Sequence, residues 1–252
     1  MMKRTAFPTA GRLSEKWKNG WNMKISKLLS AIAGFLFFTA LLLTVIDFCC
    51  FRRSFYEYEY DKGTQEADTG MNREDLMAAT DTLLDYLQDK RDDIVVEATV
   101  NGVQREVYNE RETLHMVDVK NLYQNAVKAR NYMVIGTLIL LAGAIALSKD
   151  VMSVLRDACH KGLLLLAGVV IFCLAYALID FNDFWIRFHY VFFDNDLFFL
   201  DPNTSLMINM MTEQLFFDLV MRIIVLFTII SALILVMLHF VKGKSHAERG
   251  IV

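Results

Sequence analysis

The sequence specifies a mainly α membrane protein with four transmembrane helices and a small extracytoplasmic α+β cap (helix, β-hairpin, helix) between spans 1 and 2. Hydrophobic residues fill 55% of the 252 positions, with 19 Phe and 13 Met, more than one water-facing core of this size requires. Four stretches lack charge over a length close to the ~20 residues that a helix needs to cross a bilayer. Between the first two of them lies a long polar segment with helix and hairpin signals of its own.

The apolar stretches are Leu28 to Ile46, Tyr132 to Leu147, Gly162 to Ile179 and Ile223 to Val241. Lipid offers no partner to a backbone N–H or C=O, so each is expected to be a helix. The second is the shortest, and the polar helix leading into it extends it. Orientation follows from the basic residues at the span ends. Lys3, Arg4, Arg12, Lys16, Lys18, Lys24 and Lys27 precede the first span against the single acid Glu15. Lys149, Arg156 and Lys161 lie between spans 2 and 3, and Lys242, Lys244 and Arg249 follow span 4. The chain is therefore expected to divide into a cytoplasmic N-terminus (1–27), TM1 (28–48), an extracytoplasmic cap (49–131), TM2 (132–148), a cytoplasmic loop (149–161), TM3 (162–179), an extracytoplasmic aromatic loop (180–218), TM4 (219–241) and a cytoplasmic tail (242–252). Arg52 and Arg53 at the outer end of span 1 are discordant. Trp17 and Trp21, interleaved with lysines, suit an interfacial helix on the inner leaflet. The first span is too long for a signal peptide and no small-x-small site follows it, so it is expected to remain as an anchor.

Within the cap, Asn72 precedes Leu76, Met77, Leu83, Leu84 and Leu87 at helical spacing, with Glu74 and Asp75 where the helix dipole favours acids. Ile94 to Val100 and Val103 to Tyr108 flank Asn101-Gly102, the strongest two-residue hairpin signal. A second helix is predicted from about Glu110 directly into span 2.

A formal charge of −3 does not point to a nucleic-acid partner. Cys49, Cys50, Cys159 and Cys173 have neither disulfide-framework nor metal spacing. There is no G-x-S-x-G, H-E-x-x-H or Gly-rich phosphate loop, and nothing in the spacing calls for a metal or cofactor. Acid/base chemistry at the outer membrane surface is what remains.

Two of the five histidines, His115 and His189, fall in the outward segments, one in each. Helical geometry puts Glu112 one turn before His115 and Asp118 one turn after it. A carboxylate at that spacing fixes an imidazole's tautomer and raises its basicity, although an exposed helix with ordinary polar neighbours has the same pattern. His189 sits in the aromatic run Asp183 to Phe193, sharing a helical face with Trp185, Phe192 and Phe193. An interfacial aromatic belt accounts for the rings, but not for a histidine among them with Arg187 beside it. Phe198 to Ser205 reads as a turn and N-cap, and Asp218 with Arg222 as an i, i+4 ion pair at a helix start.

Together these two segments resemble the lipoprotein intramolecular transacylase family of bacterial four-span integral membrane proteins. The resemblance rests on E-x-x-H-M-V-D-V at Glu112 to Val119, F-H-x-x-F-F at Phe188 to Phe193 and L-D-P-x-T at Leu200 to Thr204, and continues through Glu213 and Phe216-Phe217-Asp218. In span order and loop length it extends from about residue 25 to 241. It departs from the family pattern at Phe198, near an expected Trp, and at Thr212, where a Pro is expected. The resemblance implies an acyltransferase that moves the sn-2 acyl chain of a diacylglyceryl-cysteine lipoprotein to the cysteine α-amine, with a diacylated lipoprotein and membrane lipid as partners. It implies His115, oriented by Asp118 or Glu112, as general base, and His189, with Arg187 or Tyr190, as oxyanion stabiliser or acid. Asp201 and Glu213 are implied as supporting residues. From the residues alone, a non-enzymatic binding or signalling module built on the cap stays open, and a transporter ranks behind it because the spans hold almost no ionisable residues.

Overall fold

The computed structural model describes the backbone of residues 10–148 and 150–247 and the side chains of 18–148 and 150–240. Lys3, Arg4, Lys149 and Arg249 lie outside the described residues, as do the side chains of Arg12, Lys16, Trp17, Lys242 and Lys244. The first span lies in α1 (Ala10–Cys50). After it come α2 (Arg53–Lys62), α3 (Gln65–Thr69), α4 (Arg73–Leu87), and strands β1 (Glu97–Val100) and β2 (Val103–Glu106). The second span is the C-terminal half of α5 (Glu110–Ser148), and α6 (Val151–Ile179) carries the third. The amphipathic α7 (Phe181–Phe192) and the short α8 (Leu206–Met210) precede α9 (Glu213–Ala247), which carries the fourth. Four of these helices are long and apolar enough to cross a membrane, which with the single two-stranded sheet among the described residues gives the fold class expected above.

The chain forms two compact units. One comprises the segment up to Ala40, Asn131–Val169 and the segment from Ile229 onward. In it α1 and α6 touch backbone to backbone: a Cβ on Gly34 would lie 1.8 Å from the Ala158 carbonyl oxygen. Small residues permit this approach where apolar burial against lipid supplies little drive. Ser26 Oγ, buried, donates to the Ala144 carbonyl at 2.8 Å and joins α1 to α5.

The other unit comprises Leu41–Arg130 and Val170–Thr228. Asn72 caps α4 by accepting from the Asp75 N–H, and Leu76, Met77, Leu83 and Leu84 form its buried face. Asn101 and Gly102 have φ of 50° and 81°, the double left-handed turn that Asn-Gly favours, and β1 pairs antiparallel with β2. Helices α2 and α3 were not anticipated. In α2 Tyr and Glu alternate as in a strand, while the buried residues Phe55, Tyr56, Glu59 and Tyr60 follow a helical stripe in which tyrosines stand for aliphatics. Asp47 of α1 accepts from Tyr123 Oη and Arg130 Nη1 of α5, each at 2.7 Å. Asp218 does not pair with Arg222: it accepts from Lys62 of α2 and from Gln214, while Arg222 lies over the Phe55 ring at 5.5 Å.

Candidate active site

The start of α5 is built by a reciprocal cap. Asn109 Oδ1 accepts from the Glu112 N–H at 3.0 Å, and Glu112 Oε2 accepts from the Asn109 N–H at 2.6 Å. This is the Asn equivalent of a capping box. The other carboxylate oxygen of Glu112 accepts from Ser205 Oγ at 2.5 Å and from the Met207 N–H at 2.8 Å. Ser205 in turn caps α8. With 0% exposure and three donors, Glu112 ties α5 to the 205–210 turn; no hydrogen bond joins it to His115.

One turn on, His115 is 8% exposed, and His189 of α7 is 9% exposed. Their ring centroids stand 6.0 Å apart at 35°. Phe193 packs edge-on against His115 at 5.4 Å and tilted against His189 at 5.7 Å, Phe198 stacks on His189 at 4.7 Å, and Trp185 meets His189 edge-on at 5.0 Å. The aromatic run is thus a wall around the imidazole pair, continued by Phe216 stacked on Trp185.

The two imidazoles are differently wired. His189 Nδ1 lies 2.7 Å from the Trp185 carbonyl, which can only accept, so Nδ1 carries the proton and Nε2 of the neutral ring keeps its lone pair. His115 Nδ1 is buried with no hydrogen-bond partner among the described residues. Burial, then the neighbouring His189 and Arg111, push the His115 pKa down to about 4, against the Asp118 carboxylate. Burial lowers that of His189 too, opposed by the Trp185 hydrogen bond. Both rings are therefore uncharged at neutral pH.

Asp118 accepts from Asn195 Nδ2 at 2.9 Å, and Asn195 Oδ1 accepts from the Leu197 N–H at 3.0 Å. Arg111 donates from Nε to the Phe199 carbonyl at 3.0 Å and to the Asp196 carbonyl, holding the aromatic loop against α5. The other expected residues are spread around this centre. Arg187 is 66% exposed and bonded at 2.9 Å to Asp183, which also accepts from Tyr176. Tyr190 is 55% exposed with its ring edge-on to Phe198. Asp201 forms a turn by accepting from the Asn203 N–H at 2.9 Å and Nδ2 at 2.8 Å, and Glu213 at the start of α9 accepts from Asn182 Nδ2 at 2.9 Å. Asn195 and Arg111 were not singled out in the sequence; Ser205 is the N-cap expected at the end of Phe198 to Ser205, but its bond to Glu112 was not anticipated, and only the N-x-x-E box at 109–112 carried a readable signal for the Glu112 tie. Among the described residues no group of three or more His, Cys, Asp or Glu side chains is disposed to hold a metal ion.

Four membrane-crossing helices define a multi-pass membrane protein, and its candidate active site is a buried pair of neutral imidazoles behind an aromatic wall. The family described as lipoprotein intramolecular transacylase Lit matches residues 31–217, and the chain belongs to that family. Its fold is shared with the in meso structure of the membrane integral lipoprotein intramolecular transacylase Lit from Bacillus cereus, with a TM-score of 0.69 at 19% identity, covering 90% of this chain and 99% of that one. A second in meso structure of the same protein, carrying a histidine-to-arginine mutation, gives a TM-score of 0.68 at 17% identity over 95% of this chain and 100% of that one. No curated protein matches the chain.

Proposed function

We propose that the chain moves the sn-2 acyl group of a diacylglyceryl-cysteine lipoprotein to the α-amine of the same cysteine, with His189 and His115 as its proton-handling pair. The observation that carries this is the 6.0 Å approach of two buried, uncharged imidazoles from two helices remote in sequence, α5 and α7. Aminolysis of an ester needs a neutral amine, a donor for the tetrahedral oxyanion and an acid for the leaving oxygen. Donor ester and acceptor amine belong to one molecule, so holding them together supplies much of the rate.

The substrate ammonium first loses one proton. The amine nitrogen then attacks the ester carbonyl carbon, the new C–N bond forms, and the bond from that carbon to the sn-2 glyceryl oxygen breaks. The second proton passes from nitrogen to Nε2 of His189 and on to the glyceryl oxygen, so the products are an amide, a free secondary hydroxyl and one proton released to solvent. The Trp185 carbonyl supports the imidazolium that forms in transit. His115, whose buried Nδ1 has no hydrogen-bond partner among the described residues, serves as a neutral N–H donor to the oxyanion. This exchanges the base and stabiliser roles that the family resemblance suggested, on the strength of the two rings' hydrogen bonding. Arg187 and Tyr190 lie to the outside of the wall and are assigned no proton.

The centre is proposed to face the extracytoplasmic side, supported by Lys18, Lys24 and Lys27 before span 1 and by Arg156 and Lys161 before span 3. Substrate and product are isomers, so fragment-ion mass spectrometry of a reporter lipoprotein's N-terminal peptide is the assay. His115→Ala and His189→Ala are each expected to abolish the N-acylated, lyso-form peptide. Undiminished product from either variant removes that residue from the mechanism.

A further inference from the structure

We infer that Asp118 is the binding residue for the α-ammonium of the substrate's N-terminal cysteine, its Oδ1 receiving the cation beside His115. The inference rests on the acyl-transfer reading above and deepens it.

The acceptor amine has an ordinary pKa of about 7.7–8.0, so at neutral pH it arrives mostly as a cation. Two uncharged imidazoles in an aromatic enclosure do not compensate a cation leaving water, and a carboxylate is required. The carboxylates near the pair are few. Glu112 has both oxygens filled by three protein donors and no exposed surface. Asp183 is committed to Tyr176 and Arg187. Asp118 stands one helical turn after His115, and its charge acts on that ring. It is half-buried, makes its one hydrogen bond through Oδ2 to Asn195, and enters no ion pair among the described residues. Asn195 is itself fixed by the Leu197 N–H, so the carboxylate is held in place while Oδ1 stays open.

A second observation points to a missing polar partner on the ring one helical turn before Asp118. His115 Nδ1, on a ring more than nine-tenths buried, has no hydrogen-bond partner among the described residues. The charged and titratable groups that act on the His115 ring are His189, Asp118 itself and Arg111. The guanidinium of Arg111 is engaged by the Phe199 and Asp196 carbonyls, which leaves the cation-binding position to the substrate.

The test uses the full chain in detergent micelles with a synthetic diacylglyceryl-cysteine peptide, and Asp118→Asn, which keeps an oxygen acceptor for Asn195. At pH 6.5 the variant is expected to lose about tenfold or more in kcat/KM through a raised KM. At pH 9.5, where the free amine is neutral, it is expected to return to within about twofold of the parent. Equal loss at both pH values, or no loss at pH 6.5, overturns the assignment. A binding measurement separates charge recognition from chemistry: an unreactive diether lipopeptide with an α-amine is compared with its α-hydroxyl twin. The parent is expected to bind the amine about tenfold tighter at pH 6.5 and Asp118→Asn to bind the two alike; discrimination unchanged in the variant overturns the assignment. Absence of lyso-form product from the parent would instead overturn the acyl-transfer reading, and the diether comparison judges Asp118 independently of it.

Discussion

Neutrality of the two imidazoles is a property of their burial, and it leaves a mark on stability as well as chemistry. His115 has a folded-state pKa of about 4, below the ordinary value of 6.5. The unfolded chain therefore binds more protons between those values, so the folded state holds its full stability above about pH 6.5 and loses it as pH falls toward 4. A shift of that size corresponds to at most about 3 kcal/mol. Thermal unfolding in detergent between pH 7 and 4 is expected to show this slope in the parent and to show it flattened in His115→Phe, which keeps an aromatic ring against Phe193. The residues legible in sequence were those with unusual side chains in unusual places. Ser205 was legible as an N-cap, but its bond to Glu112 was not, and Asn195 escaped notice, because a polar residue in a polar loop carries no signal of its partner until that partner is known.

Among the elements, the N-terminus of α5 is the one on which the site depends. Removing the carboxylate in Glu112→Ala leaves the Asn109 N–H, the Met207 N–H and the Ser205 hydroxyl without acceptors in a buried position, a cost of about 2–4 kcal/mol. Ser205→Ala removes the cap of α8 and one donor to Glu112, and is expected to cost about 1–2 kcal/mol. Both show as lowered unfolding temperatures, with the larger loss in Glu112→Ala accompanied by a fall in kcat. The hairpin behaves differently. Gly102→Val forces a β-branched residue to φ 81° and is expected to cost about 1–3 kcal/mol while leaving the acyl-transfer rate per folded molecule unchanged. This turn could be read from two letters because Asn-Gly dictates its own geometry. Helix α2 could not, because Tyr56, Tyr60 and Phe55 bury a face that alternation with glutamate disguises.

For the molecule as a whole, four apolar runs were sufficient to number the membrane-crossing helices, since a charge-free stretch of that length has one stable state in lipid. Which helices touch was not legible, because Gly34 and Gly162 look like any other glycines until the backbones of α1 and α6 are seen to meet. Gly34→Val is expected to wedge that contact apart and cost several kcal/mol, measurable as loss of the folded fraction after gentle heating in detergent. The capping arrangement of α5 also bears on biogenesis. Glu112 is synthesised long before Ser205 and Met207, and two of the three donors to its carboxylate emerge only after the third span. Until then the helix that carries His115 has a half-satisfied acid at its head. His115, His189 and the two later donors to Glu112 can therefore come together only once the chain has been made past its third span, so the candidate site is among the last parts of the molecule to be assembled.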